Sequence, residues 1–492
     1  MTATDKQKVK VPVSSYLSDN ENYLKQTVGL GVTFDLGIRK LKILDREIGV
    51  FFVTGLCDSN FIIHILEEAV DLNDVEQTGK DTMAIIENRL IHQQVSRINT
   101  MDEVIRQALS GLIVIFVDGE DEAFTVDVRS YPGRSPVEPD TEKVVRGARD
   151  GFVENIIINT ALIRRRIRDP RLRHEIMQVG TRSKTDICIS YVEDIANPDL
   201  IKIVKQELQN IKIDGITMAD KTIEEFLVKQ GFNPFPLVRY TERPDVAANH
   251  LLEGHVLIIV DTSPSVMITP TTYFHHVQHA EEFRQNPMVG TFLRWVRFLG
   301  IIFSLFLLPF WLVFVFDPTL LPPNLAFIGP NKVTNLPTFL QILLAEIGLE
   351  FLRMASIHTP TALSTSLGLI AAVLIGQIAI EVGLFVPEVI LYSAISVIGA
   401  YATPSYELSL ANKIAKIFIV LLTAWLHEMG FIIGVTLLIL SLASVRSLQT
   451  PYLWPFLPFD GSALMKIFIR PTISSLKTRP SIVHPQNTNR QE

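Results

Sequence analysis

The sequence predicts a chain in two halves: an α/β soluble N-terminal half of two small mixed α/β subdomains, then an all-α polytopic membrane domain. Three observations carry this reading. Of the 492 residues 48% are hydrophobic, yet the hydrophobicity is uneven, with charge frequent before Trp295 and long uncharged runs filling Trp295–Val445. Before Trp295, short apolar runs of strand length alternate with stretches of helical spacing, as in a sheet that carries helices. After it, several runs are long enough to cross a bilayer.

Residues 1–19 are polar, lack an apolar h-region and are expected as a disordered tail rather than a signal peptide. Subdomain 1 spans 20–130. Leu24–Leu44 mixes strand and helix signals, Glu47–Leu56 is a buried strand, and Asn60–Asp71 follows at helical spacing. Polar helices are expected near Thr78–His92 and at Met101–Leu109. The apolar run Gly111–Val117, the turn Asp118–Gly119 and the returning run Ala123–Val128 read as a hairpin. Residues 131–140 form a Pro-rich linker.

Subdomain 2 spans 141–290. A helix is expected over Gly151–Ile167, its apolar stripe interrupted by Asn159 and its end marked by Arg164, Arg165, Arg166 and Arg168. Strands at Arg173–Val179, Asp186–Val192, His255–Asp261 and Ser265–Thr269, with helices at Pro198–Gln209 and Lys221–Lys229, suggest a small mixed sheet. The arginine cluster is a solvated face or pairs with nearby acids, since no aromatics interleave it as nucleic acid would require. A net charge of -7 also argues against nucleic acid. His275, His276 and His279 lack a completing ligand set, so no metal site is assigned. Cys57 and Cys188 read as small core residues, although a disulfide stays open. There is no phosphate-binding glycine loop, nucleophile elbow or triad pattern, so no catalytic residue and no cofactor is assigned and the chain is not expected to be an enzyme.

The membrane domain spans 291–446 and is expected to hold four to five helices. Trp295–Phe316 has 22 residues, about 33 Å as a helix, which matches a hydrocarbon core of about 30 Å. Arg294 and Arg297 flank its start, where they can snorkel. Leu336–Ile357 carries Glu346, Glu350 and Arg353 at i, i+4 and i+7, so it lies along the interface, re-enters, or spans with that face in a bundle. Thr361–Tyr406 reads as a helical hairpin closed by Phe385–Val386–Pro387. Its first arm places Gly368, Ala372, Gly376, Ala379 and Gly383 on one small stripe, with Gln377 and Glu381 stacked four apart. A carboxylate in hydrocarbon normally faces a bundle interior or a water path, so this arm is expected to line something polar. Lys413–Val445 is too long for a straight perpendicular span, with His427 and Glu428 in its middle and Gly430 and Gly434 placed to bend it. Residues 447–492 form a tail whose basic residues, with Arg294 and Arg297, put both ends in the cytoplasm and favour four crossings. Lys413 and Lys416 then fall outside, against that scheme.

Four segments carry a family resemblance: EPDTEKVVRGARDGFVENIIINTALIRRRIR from Glu138, TERPDVAANHLLEGHVLIIVDTSPSVMITP from Thr241, VLIGQIAIEVGL in the hairpin, and TPYLWPFLPF near the end. Together they closely resemble the A-subunit family of bacterial spore germinant receptors, the GerA family, from about Leu30 to Asp460. The matching positions are Glu142, Lys143, Val144, Val145, Arg146 and Gly147; Thr241, Glu242, Arg243, Pro244 and Asp245; and Gln377 and Glu381. Ala148 stands where many members have proline, and FHHVQHAEEF replaces an acidic-aromatic stretch. These departures point to a sporulation branch of the family that need not recognise a nutrient. The resemblance implies a multi-pass protein of the endospore inner membrane with its soluble half on the cytoplasmic, spore-core side. It implies partners in a homo-oligomer, in other inner-membrane germination proteins and in the lipid bilayer.

The resulting expectation is a membrane subunit of a germination complex that oligomerises into a cation channel and releases ions. In it Gly368, Ala372, Gly376, Gln377 and Glu381 line the path, and Glu346, Glu350, Arg353, His427 and Glu428 are membrane polar residues. Glu142, Lys143, Arg146, Glu242, Arg243 and Asp245 serve subunit or subdomain contacts, or ordinary salt bridges. The alternative is a non-conducting scaffold or sensor.

Overall fold

The computed structural model describes residues 11–43, 46–71, 95–130, 142, 144–330, 334–358 and 376–491. The expected helix at Thr78–His92 and the linker 131–140 lie outside them. The chain forms two compact units. The α/β unit holds the described parts of 1–229, 238–270 and 474–492, and the helical unit holds 230–237 and 271–473. The segment expected as one tail is thus divided between them.

In the α/β unit, α1 (Leu17–Thr27) precedes the hairpin of β1 (Leu36–Ile43) and β2 (Arg46–Val53). Then follow α2 (Ser59–Asp71), β3 (Val95–Ile98), α3 (Met101–Ala108), β4 (Ile113–Val117) and β5 (Ala123–Val126). The second half repeats the plan. α4 (Ile156–Arg166) leads to β6 (Leu172–Val179) and β7 (Thr185–Val192), then α5 (Pro198–Gln209), α6 (Ala219–Val228), β8 (Arg239–Thr241), α7 (Pro244–Glu253), β9 (Val256–Val260) and β10 (Val266–Thr269). The two sheets have the same strand order, β1-β2-β4-β5-β3 and β6-β7-β9-β10-β8.

Every ladder in both sheets is antiparallel, which corrects the expected mixed sheet. The helical connections cause this: each lands its strand at the far edge or back at the centre, so no two parallel strands become neighbours. The central strands β4 and β9 are buried throughout, because layers cover both sheet faces. In the first sheet Val114 and Phe116 meet the layer that includes Leu24, Val104 and Ile105, while Ile113, Ile115 and Val117 meet Ile62 and Ile65 of α2.

Two local corrections follow. Residues 11–19 are not a loose tail: Val13 and Leu17 are buried in the core, and the Val13 N–H donates to the Asn99 carbonyl at 2.9 Å. The helix expected from Gly151 begins at Ile156, because the Asn155 carboxamide accepts from the Ile157 and Ile158 N–H groups and caps it. Asn159 interrupts the apolar stripe for a reason: wholly buried, it accepts from Val153 N–H at 2.8 Å and donates back to the Val153 carbonyl at 2.5 Å.

Within the basic cluster at the end of α4, Arg164 and Arg166 pair with acids while Arg165 and Arg168 are exposed. Arg164 is wholly buried and donates to Asp35 at 3.0 and 3.3 Å and to the Leu172 carbonyl at 3.1 Å. Arg166 donates to Asp150 at 2.6 and 2.7 Å. Arg173 donates to the Val28 carbonyl, and Phe34 N–H to the His174 carbonyl at 2.9 Å, so the two repeats are stitched along 28–35 and 172–174. Residues 474–491 close the unit. Gln486 donates through its backbone to Ile195 and through its side chain to Glu193 and Ala196 carbonyls, and Arg490 pairs with Glu253 at 3.1 Å.

The helical unit begins with short α8 (Tyr273–Val277) and α9 (Ala280–Arg284), then α10 (Pro287–Phe316), α11 (Thr338–His358), α12 (Pro387–Tyr401), α13 (Tyr406–Ser444) and α14 (Gly461–Phe468). Among the described residues α10 and α13 are the helices long and apolar enough to cross a membrane. α13 is not one rod. His427 sits at φ 55, ψ -133, and the chain reverses there. Residues 422 and 430 would lie about 12 Å apart along a straight helix, yet a Cβ on Gly430 would collide with the Leu422 carbonyl, and one on Gly434 would come within 3.3 Å of Ile419. The long run is therefore a tight antiparallel hairpin with arms 406–426 and 428–444, and His427 and Glu428 sit at its exposed tip rather than in mid-span. This removes the length problem of Lys413–Val445.

α12 runs back along α10: Tyr392 stacks on Trp311 at 5.0 Å, Ser396 Oγ donates to the Ser304 carbonyl at 3.1 Å, and Gly399 lies on Gly300. Ile342 of α11 packs with Trp311, Leu312 and Val386, at the far end of α10. The second arm of α13 returns beside α10, with Phe431 at 5.6 Å from Phe310. Beyond it Ser447 and Tyr452 bond Thr271 and Tyr273, so the chain comes back to the end from which α10 departs.

Burial depresses His174 to about 3 and His255 to about 4. Both values lie below the unfolded value near 6.5, so the unfolded chain takes up protons that the folded unit refuses. Stability is full above that pH and falls below it, by about 1.4 kcal/mol per pH unit per histidine. Thermal unfolding of the full chain in detergent, read by exposure of the buried thiols Cys57 and Cys188, should show a flat midpoint above about pH 7 and a falling one below about pH 6.5. A midpoint constant down to about pH 5 would contradict this.

Candidate functional site

α11 and the first arm of α13 run antiparallel, and their charged residues meet. Glu346, Glu350 and Arg353 share one face of α11 by helical spacing. Against them the partner arm presents Lys416, Lys413 and Tyr406. Lys416 Nζ donates to Glu346 at 2.7 Å and to Ser396 Oγ at 3.0 Å. Lys413 Nζ donates to Glu350 at 2.6 Å and lies 3.7 Å from Glu346 Oε2. The Arg353 guanidinium sits 4.3 Å from the centre of the Tyr406 ring. Ser396 passes the chain on to the Ser304 carbonyl of α10.

The Glu346–Lys416 rung of this ladder is sealed, while Glu350 and Lys413 are partly exposed. Glu346 is 1% exposed and Lys416 2%. The space at its centre is about 20 Å³, lined by Ser304, Glu346, Glu350, Lys413 and Lys416, room for about one water and not for a continuous path. Of the three placements open to Leu336–Ile357, the structure shows its charged face inside a bundle. The same pairing answers the lysine problem, since Lys413 and Lys416 are neutralised by neighbouring helices.

Gln377 and Glu381 behave oppositely. They lie on the helical stretch 376–381 and both are exposed, while Ala379 between them is buried. Gly368 and Ala372 lie outside the described residues. Gly376 has open space around its Cα. Gly383 leaves the expected stripe: its φ is +73, in a turn that ends the helix, so the link runs over 382–386. Val386 N–H there donates to Gln341 Oε1 at 2.9 Å.

At the start of α10 the arginines do not snorkel. Glu282 is wholly buried between Arg294 and Arg297, with Arg294 Nε donating at 2.7 Å. Arg294 also donates to the carbonyls of Lys466 and Ile467 at 2.8 Å each. The sequence signal for this clamp was the spacing of an acid before two arginines, 12 and 15 residues on. The histidines nearby act locally: His275 Nδ1 pairs with Thr272 in a capping box, and His279 Nδ1 accepts from Glu281 N–H.

In the α/β unit, the EKVVRG and TERPD segments meet each other. Thr241 Oγ1 donates to Glu142 at 2.6 Å, and Arg239 lies 3.8 Å from Glu142. Arg243, wholly buried, donates to the carbonyls of Glu142 and Ala148 and pairs with Asp245 at 2.8 Å. The ordinary salt bridges expected among these residues take this form because the backbone turns Arg146 outward to solvent and Arg243 inward. Glu242 offers its carbonyl to Phe152 N–H at 2.8 Å. Lys143 lies outside the described residues.

Replacing Lys416 by Met leaves the Glu346 charge buried and should destabilise the helical unit by about 3–5 kcal/mol. The double change Lys416→Met, Glu346→Met should recover most of that loss. Thermal unfolding in detergent reads it; a single variant as stable as the parent would contradict the sealed pair.

Comparison with known proteins agrees with the resemblance of the four segments. The model of the Bacillus/Clostridium GerA spore germination protein family matches residues 22–482. Stage V sporulation protein AF of Bacillus subtilis (strain 168) is 61% identical over 99% of this chain and 99% of its own. Spore germination protein KA of the same organism is 29% identical over 98% of this chain and 89% of its own. The N-terminal domain of the A subunit of the Bacillus megaterium spore germinant receptor GerK3 is 27% identical, covering 54% of this chain and 99% of that one, with a TM-score of 0.43.

Proposed function

The chain belongs to the Bacillus/Clostridium GerA spore germination protein family, and we propose that it serves germination as a multi-pass membrane subunit that oligomerises into a cation channel. One observation carries the reading: Gln377 and Glu381 project from the protomer while the acids of α11, Glu346 and Glu350, are paired within it. An exposed carboxylate on an apolar helix is expensive in lipid unless it faces water or another protomer. Several copies arranged with 376–381 toward a common axis would give Glu381 that place, and a ring of carboxylates favours cations. The path then runs between protomers.

In this reading α10, α11, α12 and both arms of α13 are five legs through the endospore inner membrane, and the helical stretch 376–381 belongs to a sixth. An even number returns the chain to its starting side. The packing of 474–491 on the α/β unit supports this, as do the basic residues at both ends. The α/β unit then faces the spore core. This reading counts six legs where the sequence favoured four, because the hairpin at His427 makes two legs of one run and α11 is taken as a further leg. The role is non-enzymatic, and its partners are further copies and other inner-membrane germination proteins.

A second reading, a non-conducting scaffold or sensor, draws on the sealed Glu346–Lys416 rung, where the space between the described helices has room for about one water. Spores carrying Glu381→Ala or Gln377→Ala separate the two. The channel reading expects potassium and sodium release on germination to slow several-fold, more for Glu381→Ala, with protein levels unchanged. Unchanged flux in both variants would favour the scaffold.

A further inference from the structure

The segment TPYLWPFLPF and the helix α14 after it remain without a role. The segment is anchored at one end: Tyr452 is wholly buried, with Tyr273 at 6.2 Å and Phe235 at 6.5 Å between ring centres. Beyond it six large apolar side chains stand exposed: Phe456, Leu457, Phe459, Met465, Phe468 and Ile469. Phe459 is 74% and Met465 61% exposed. These are large values for a stretch held by so many side-chain bonds.

The backbone groups at the ends of α14 are satisfied within the protein. Asp460 caps α14, accepting from Ser462 and Ala463 N–H. The carbonyls at its other end, Lys466, Ile467 and Phe468, accept from Arg294 at 2.8 Å twice and from Trp295 Nε1 at 2.9 Å. Helix ends so satisfied can enter a poorly hydrated layer without orphaned groups.

Position along α10 names that layer. The stretch touches α10 at Trp295 and at Phe298, whose ring is 5.3 Å from Phe468. From Trp295 to Phe316, the end of α10, is 22 residues of helix, about 33 Å and so about one hydrocarbon thickness. If α10 spans, residues 454–469 lie at the boundary of headgroups and acyl chains, where aromatic residues and a snorkelling lysine such as the exposed Lys466 are favoured.

We propose that residues 454–469 form an interfacial anchor, whose partner is the lipid leaflet at the end of the bundle where α10 begins. The proposal rests on the membrane reading above. The anchor lies in the plane of the leaflet and does not cross it. It fixes the depth of α10 through Arg294 and Trp295.

The test labels the full chain with the environment-sensitive fluorophore NBD at Phe459→Cys, Met465→Cys or the mid-span control Phe303→Cys. The protein is held in phosphatidylcholine–phosphatidylglycerol liposomes. Cys57 and Cys188 are buried, and burial raises the Cys57 thiol to about 11, so labelling at neutral pH is selective. Positions 459 and 465 should emit to the blue and be quenched about twofold more by shallow than by deep nitroxide lipids, and position 303 the reverse. Quenching of 459 and 465 by aqueous iodide alone, with 303 still quenched by lipid, would overturn the anchor and leave the membrane reading standing. Shielding of 459 and 465 from both quenchers would mark a contact between copies and overturn it too. A control at 303 that lipid nitroxides fail to reach would overturn both.

Discussion

A carboxylate inside an apolar helical bundle has to be neutralised where it stands, and Glu346 sets that condition for the helical unit. Desolvating the charge costs several kcal/mol unless a cation and further donors repay it. Lys416 supplies the cation, and its bond to Ser396, itself bonded to the Ser304 carbonyl, ties α10, α11, α12 and α13 at one level. The pairing of Glu350 with Lys413 one turn away fixes α11 and the first arm of α13 as antiparallel neighbours. With that arm placed, the glycine faces at Gly430 and Gly434 bring the second arm against it, and the reversal at His427 follows.

The sealed rung divides the polar residues of the helical unit into two kinds. Those paired inside hold helices together, and those left outside, among them Gln377 and Glu381, are available to neighbours or water. Glu282 belongs to the first kind, with Arg294 and Arg297 joining α9, α10 and α14. The α/β unit uses the same device: buried Arg164 pairs with Asp35, 129 residues away, and buried Arg243 donates to the Glu142 and Ala148 carbonyls, 101 and 95 residues away. In both units the charged residues that looked most functional in the sequence are largely structural.

Much of this was legible in the residues. Strands such as Ile113–Val117 and Val256–Val260 announce themselves as unbroken apolar runs, and Pro198–Gln209 begins at a proline and ends as its spacing indicates. The face bearing Glu346, Glu350 and Arg353 was visible by spacing, but its lysine partners lie 63 and 70 residues away, and no local pattern reports such a distance. The hairpin at His427 escaped for a different reason. Histidine at positive φ runs against intrinsic preference and is imposed by packing, so uninterrupted hydrophobicity reads as one helix. The shared strand order of the two sheets was hidden because it repeats in topology and not in residues. Antiparallel pairing was missed because strand and helix alternation alone does not reveal where each connection lands.

The central claim is that charge exposed at Glu381 governs ion passage between protomers while charge sealed at Glu346 does not. Its most direct measurement is the reversal potential of the purified protein in a planar bilayer under a potassium chloride gradient. The account predicts a cation-selective current for the parent chain and a shift of the reversal potential toward chloride in Glu381→Lys. Absence of current, or a selectivity that Glu381→Lys leaves unchanged, would contradict it.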